Sequence, residues 1–133
     1  MDPSYLKKVP LFDGLSDEDV ANCAALFETE EILAGAGMAR EGEFAYKFFV
    51  VLEGEVDVLR DFEAVARLGP GDFFGEMGLL GGERRNARVV AHTRCDVAWM
   101  MGWSFEEMLE QYPDVAQRIQ DAVDARVAPL VDE

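Results

Sequence analysis

Gly71-Asp72-Phe73-Phe74-Gly75-Glu76-Met77-Gly78-Leu79-Leu80, followed by Glu83-Arg84-Arg85-Asn86-Ala87-Arg88-Val89, is the stretch on which the reading of this 133-residue chain turns. Pro70-Gly71-Asp72 is a turn signal that ends a preceding strand. Phe73 and Phe74 are apolar anchors for the residues after them. Gly75 lets backbone approach a ligand closely. Glu76 to Leu80 has the composition of a short helix, whose unbonded N–H groups and positive dipole end favour an anion. Gly81-Gly82 ends it. Arg84, Arg85 and Arg88 then supply the densest positive charge in the chain, and an arginine opposite helix N–H groups can clamp a phosphate. Glu76 has the wrong sign for an anion site. It fits as the acceptor for a sugar hydroxyl, or as a partner that holds Arg85 in place. A phosphate with an adjacent ribose accounts for both signs of charge. The competing reading is a β-turn, a surface helix and three solvated arginines, and short motifs alone do not separate the two.

Composition bounds what the stretch can serve. The chain is 50% hydrophobic, which suits one compact domain with a real core. The expected domain is residues 1–133 as a unit, with no internal repeat, linker or low-complexity tract. No apolar run approaches the length of a membrane span, and the N-terminus lacks the layout of a secretory signal, so a cytoplasmic location is expected. The net charge of −15 repels the phosphate backbone of nucleic acid and anionic lipid surfaces, so neither DNA binding nor membrane binding is expected. A solvated acidic surface or a basic protein partner is the use left for it. His92 is the single histidine. That leaves little room for a histidine-based hydrolase and none for a multi-histidine metal site, so no catalytic residue, metal or cofactor is expected. His92 is read as an exposed structural residue. Cys23 and Cys95 lack metal spacing and are read as buried free thiols.

Ten of the twelve glycines lie between Gly35 and Gly82, which marks a turn-rich β region. Short apolar runs separate the turns: Phe48 to Leu52, Val56 to Leu59, Val65 to Leu68, Arg88 to Ala91 and Val97 to Met101. Glu55-Val56-Asp57-Val58 alternates like a half-buried strand, whereas Phe48-Phe49-Val50-Val51-Leu52 is continuous and is expected to be buried on both sides. Strands at this spacing predict a sandwich or barrel. Both ends read as helix. Ser16 is an N-cap before acidic Asp17-Glu18-Asp19, with a Leu15–Val20 staple, and Val20, Cys23, Ala24 and Phe27 then share a face. Trp103-Ser104-Phe105-Glu106-Glu107-Met108 suggests a Ser104/Glu107 capping box and a Trp103–Met108 staple. Pro113 breaks or restarts that helix. A final helix from about Asp114 to Val127 presents Val115, Ile119, Ala122, Val123 and Arg126, with Pro129 as its stop.

The stretch from Gly71 to Val89 resembles the phosphate-binding cassette of cyclic nucleotide-binding domains, which occur in catabolite-activator-type regulators, cyclic-nucleotide-dependent kinases and gated channels. Val9-Pro10-Leu11-Phe12-Asp13-Gly14-Leu15-Ser16 resembles the family's N-terminal lead-in. Gly35, Arg40-Glu41-Gly42-Glu43 and Leu52-Glu53-Gly54-Glu55-Val56 resemble its barrel turns, and Trp103 to Pro113 resembles the helix after the barrel. The resemblance runs over about residues 5–125, with motif order and spacing both matching.

What the resemblance implies is a mainly β fold. It is an eight-stranded jelly-roll barrel over about residues 30–102, with an N-terminal helix and two C-terminal helices over about 104–128. The implied ligand is cAMP or cGMP. Arg85 would bind the cyclic phosphate and Glu76 the ribose 2′-hydroxyl. Backbone amides of Gly75, Met77 and Gly78 would cradle the phosphate, with Asn86 beside it and Ala87 a small packing residue. Ile119, Val123 and Arg126 are candidates for a lid over the base, although helix packing or a homodimer contact through the C-terminal helix serves the same stripe. The implied role is a non-enzymatic sensor in which the C-terminal helices move with the ligand and are read by a partner protein or an effector domain outside this sequence. Some positions depart from the pattern. Asn86 stands where Ser, Thr or Ala is common, Arg84 where proline is common, and Gly78 in place of Ala or Ser. Met38-Ala39 is a smaller apolar pair than usual. These motivate the alternative of a degenerate member that binds no nucleotide and serves as a protein-interaction module.

Overall fold

The computed structural model describes residues 1–39, 47–60, 63–75 and 88–131, with residue 39 and residues 126–131 described by backbone alone. Its first segment is helical. Pro3–Leu6 forms a single turn, α1, whose N-cap Asp2 accepts from the Ser4 N–H at 2.9 Å. Pro10–Phe12 is a 3-10 turn. Asp17–Ala24 forms α2, begun by Ser16, whose Oγ accepts from the Asp19 N–H at 3.1 Å, with three acids in the first turn. A side-chain acceptor and negative charge both satisfy the open N–H groups of that end. Val20, Cys23, Ala24 and Phe27 are all buried, as the helical spacing predicts.

The strands are β1 (Glu28–Ile32), β2 (Gly37–Ala39), β3 (Lys47–Glu53), β4 (Val56–Arg60), β5 (Glu63–Leu68), β6 (Phe73–Phe74), β7 (Arg88–Ala91) and β8 (Cys95–Met101). They form two four-stranded sheets, β1-β8-β3-β6 and β2-β7-β4-β5, with the pairings antiparallel throughout. This is the jelly-roll arrangement expected, running from Glu28 to Met101. Two helices follow, α3 (Gly102–Gln111) and α4 (Pro113–Val131).

The continuous apolar run explains how the layers stack. Phe48, Phe49, Val50 and Val51 of β3 are all buried. Because side chains alternate along a strand, the four serve two cores. Phe49 and Val51 join Val56, Phe74, Val89, Ala91, Cys95 and Val97 in the space between the sheets. Phe48 and Val50 point the other way, into a core with residues of each described helix, among them Leu6, Phe12, Val20, Phe105 and Ile119, and with Phe27 from the turn before β1. β6 and β8 alternate likewise: Phe73 faces the helices and Phe74 the sheet interior, Met100 the helices and Val97 the interior. The molecule is therefore built as helices, sheet, sheet, with β3 in the shared wall.

Phe48 is the centre of the helix-side core. Its ring lies 4.7 Å from that of Phe105, 5.7 Å from Phe73 and 6.3 Å from Phe27, tying α3, β6 and the turn before β1 to one side chain. Cys23 lies fully buried in the same core, and burial pushes its thiol up to about 11. Both cysteines are free and buried, as expected. His92 is partly exposed beside the Asp57–Arg67 ion pair, with Nδ1 3.3 Å from an Asp57 carboxylate oxygen. The hydrogen bond from Arg67 holds the Asp57 carboxyl below the usual carboxylate range.

Some helix boundaries differ from expectation. Ser104 does not cap α3. The helix starts at Gly102, directly after β8, with Met101 in the N-cap position and no side-chain cap. The Trp103–Met108 staple is not made, because Trp103 is 70% exposed while Met108 is fully buried. Strand β8 runs to Met101, and that leaves no loop in which Ser104 could act. Pro113 does restart the chain as a helix. Pro129 does not end α4, which continues to Val131. Pro129 lacks the N–H that would bond the Ala125 carbonyl, yet the helical backbone runs two residues past it.

Phe48→Ala is expected to cost about 3–5 kcal/mol, the range for emptying a fully buried phenylalanine site. Urea unfolding would show it as a lowered midpoint.

Candidate functional site

The stretch from Gly71 to Val89 begins on one sheet and ends on the other. Its first part is fixed by backbone. The Gly71 N–H donates to the Val51 carbonyl and the Val51 N–H to the Asp72 carbonyl, each at 2.8 Å. The Asp72 carboxylate closes the turn by accepting from the Gly69 N–H, also at 2.8 Å. Gly71 has φ +91°, and a Cβ there would sit 3.1 Å from Pro10 Cδ, so the turn packs directly on the N-terminal 3-10 turn. β6 then pairs with β3, Val50 opposite Phe73 and Phe49 opposite Phe74. The Phe49 and Phe74 rings stack at 4.7 Å with 9° between planes.

Gly75 follows at φ +97°, and a Cβ on it would lie 2.5 Å from the Lys47 carbonyl oxygen. Any other residue would be strained twice, by its dihedral and by collision with fixed backbone. The sequence singled out Gly75 for a close approach to a ligand; the close approach the structure shows is a different one, to the backbone of β3. At the far end, Arg88 opens β7, which lies between β2 and β4 with Val89 and Ala91 buried. Residues 76–87 link these two rigid anchors. Glu76, Met77, Gly78, Arg85, Asn86 and Ala87 lie outside the described residues, as do Arg84 and the expected short helix.

One cation stands at the start of that link. Lys47, the first residue of β3, places its Nζ 4.0 Å from the centre of the Trp99 ring. Trp99 is half-buried and packs on the core between the sheets. Sequence reasoning missed both residues. The available signal was Lys47 itself, the one lysine after Lys8, set directly before a five-residue apolar run. Other described cations serve the framework. Arg67 pairs with Asp57, Lys7 with Asp17, and Arg94 with both Glu31 and Asp96.

The lid candidates lie on α4. Ile119 is fully buried in the helix-side core and Val123 is half-buried against it. The side chain of Arg126 is outside the described residues. Directly before Ile119, Arg118 donates from Nη1 to the Leu11 carbonyl at 2.9 Å. The 3-10 turn Pro10–Phe12 thus touches the Gly71 turn on one side and α4 on the other. Among the described residues there is no group of three or more His, Cys, Asp and Glu able to hold a metal, and no helix long and apolar enough to cross a membrane.

The comparisons with known proteins agree with this architecture. The family model for the cyclic nucleotide-binding domain matches residues 29–112, more than half of the chain. A cyclic nucleotide-gated potassium channel of Rhizobium etli is 32% identical over 122 residues, 91% of this chain and 34% of the channel. The regulatory domain of Toxoplasma gondii PKA with cAMP superposes with a TM-score of 0.80 at 30% identity, over 92% of this chain and 48% of that one. The regulatory subunit of a cAMP-independent protein kinase A from Trypanosoma brucei does so at 0.79 and 30%, over 89% of this chain and 45% of that one. This chain therefore spans about a third of the channel and less than half of each kinase regulator. With strand order, the seat of Gly75 and the family match in agreement, the chain belongs to the cyclic nucleotide-binding domain family.

Proposed function

We propose that this chain is a regulatory domain that binds cAMP or cGMP through residues 75–87 and signals by movement of its C-terminal helices. The observation that carries the reading is the seat of Gly75. A residue with φ +97° pressed on the Lys47 carbonyl starts the segment at a fixed point and direction. Preorganised backbone is what an amide cradle for phosphate requires. In the proposed site Arg85 pairs with the cyclic phosphate, Glu76 accepts from the ribose 2′-hydroxyl, and amides of Gly75, Met77 and Gly78 complete the cradle beside Asn86 and Ala87. The relative from Toxoplasma gondii was solved with cAMP, which supports that ligand class.

The contacts of the Pro10–Phe12 turn suggest how occupancy is read. That turn is shared by the Gly71 loop and by Arg118 of α4, so a shift in the first displaces the second. Ile119 and Val123 now belong to the helix-side core, so a lid role for them, with Arg126, requires α4 to leave that core. The reader of the signal would be a partner protein or a further domain, since relatives carry far more chain than this one spans. A cytoplasmic setting and a homodimer through α4 remain part of the proposal.

A second reading is a fold that has lost the ligand. Asn86 and Gly78 motivate it, and the likeness to a cAMP-independent kinase regulator gives it substance. Calorimetric titration with cAMP and cGMP separates the two readings. Micromolar binding supports the first, and no heat at millimolar ligand supports the second.

Within the first reading, Arg85→Ala should weaken cAMP binding at least about tenfold, as expected for loss of a charge-assisted hydrogen bond of about 1.5–3 kcal/mol. Equal affinities for wild type and variant would remove Arg85 from the site. Glu76→Gln should lower the preference for cAMP over its 2′-deoxy analogue, and competition binding with an unchanged ratio would contradict its role.

A further inference from the structure

We propose that the outer face of α3 is a docking surface for an arginine-bearing segment of a partner protein, with Trp103 as its anchor. The inference goes beyond the cyclic-nucleotide reading and does not depend on it.

The face is set by packing. Phe105 and Met108 are buried in the helix-side core and fix which way α3 is turned. Trp103, Glu106, Glu107 and Glu110 lie on its exposed side. Their spacing of three, four and seven residues places them on one stripe, about 10 Å long. Trp103 is 70% exposed, more than any other large apolar side chain among the described residues.

Each feature of the stripe is unfavourable in the free chain. A solvated indole leaves a large apolar surface unburied. Glu106 and Glu110 are like charges one helical turn apart, a destabilising pair. Glu110 also lies in the last turn, where the helix dipole disfavours a carboxylate and α3 has no basic residue. Glu107 accepts from Gln111 Nε2 at 3.3 Å, an uncharged partner. Other exposed acids have local uses. Asp17, Glu18 and Asp19 fill the first turn of α2, and Glu31 pairs with Arg94.

The chemistry selects the partner. A guanidinium stacks on an indole face, and its flat fork pairs with a carboxylate. Arginines three or four residues apart on a partner helix match Trp103 and the three carboxylates in turn. Tryptophan and arginine are both enriched where binding energy concentrates in interfaces. The same stripe repels nucleic acid and anionic lipid.

The test uses the whole chain in physiological salt without cyclic nucleotide. The probe is a blocked alanine-rich peptide with arginines spaced three and four residues apart, and the control peptide carries neutral citrulline at those positions. In shift mapping of the ¹⁵N-labelled chain, the arginine peptide should move the Trp103 indole and the Glu106, Glu107 and Glu110 amides, leave the Trp99 indole in place, and saturate below about 1 mM. The citrulline peptide should move none of them. Trp103→Ala should weaken the arginine peptide about five- to tenfold. Glu106→Gln with Glu110→Gln should weaken it about tenfold, and should raise the thermal midpoint by removing the like-charge pair. Glu28→Gln with Glu30→Gln takes the same charge from exposed positions of β1 and should change the affinity less than about twofold. Equal weakening by the two glutamine pairs would reduce the binding to attraction by net charge and overturn the inference. So would shifts gathered on another surface, the absence of saturation, or full affinity in Trp103→Ala.

Discussion

Strand β3 has almost no solvent face, and the rest of the molecule is arranged around that constraint. Four successive apolar side chains must each be buried, yet a strand sends neighbours to opposite sides. Two separate cores are the result, one against the second sheet and one against the helices. Its neighbours β6 and β8 inherit the alternation. A shift of one residue in β3 would exchange the members of the two cores, so its register is strongly fixed. The position of Gly75 depends on that register, because the Lys47 carbonyl is its seat. The start of the candidate segment is therefore located by the packing of Phe48 to Val51 as much as by the glycine itself.

Much of this was legible in the sequence, and the gaps have physical causes. The run Phe48 to Leu52 reads directly as a strand covered on both faces. Arg88 to Ala91 was delimited residue for residue, because turn or charged residues stand on both sides. Strand β1 was hidden: in Glu28-Thr29-Glu30-Glu31-Ile32 only Ile32 is apolar, and four of the five residues are exposed. Its existence is owed to pairing with β8, a nonlocal cause no periodicity can report. Strand β6 is two residues long, too short for any pattern. The Ser104 capping box failed for a related reason: the spacing is right, but β8 feeds the helix without a loop. That Gly75 is a position only glycine can fill was legible because a glycine in a turn-rich stretch is a strong local sign. Lys47 and Trp99 went unseen because they lie far apart in sequence and are joined by a pairing across the sheet.

The charge distribution gives the site its character. An acidic chain spends several of its cations on the framework: Arg67 and Arg94 each bridge strands through carboxylates, and Lys7 pairs with Asp17. The arginines at 84, 85 and 88 form the main positive cluster along the sequence; by position, the first two fall within the link between the two sheets and the third opens β7.

An amide-shift map of the ¹⁵N-labelled chain titrated with cAMP tests the central claim most directly. The largest shifts are expected at Gly75 and through residues 76–87, with smaller ones at Lys47 and in the Pro10–Phe12 turn, and the β4–β5 hairpin left unchanged. Saturating cAMP without shifts at Gly75, or shifts gathered on another surface, would contradict the account.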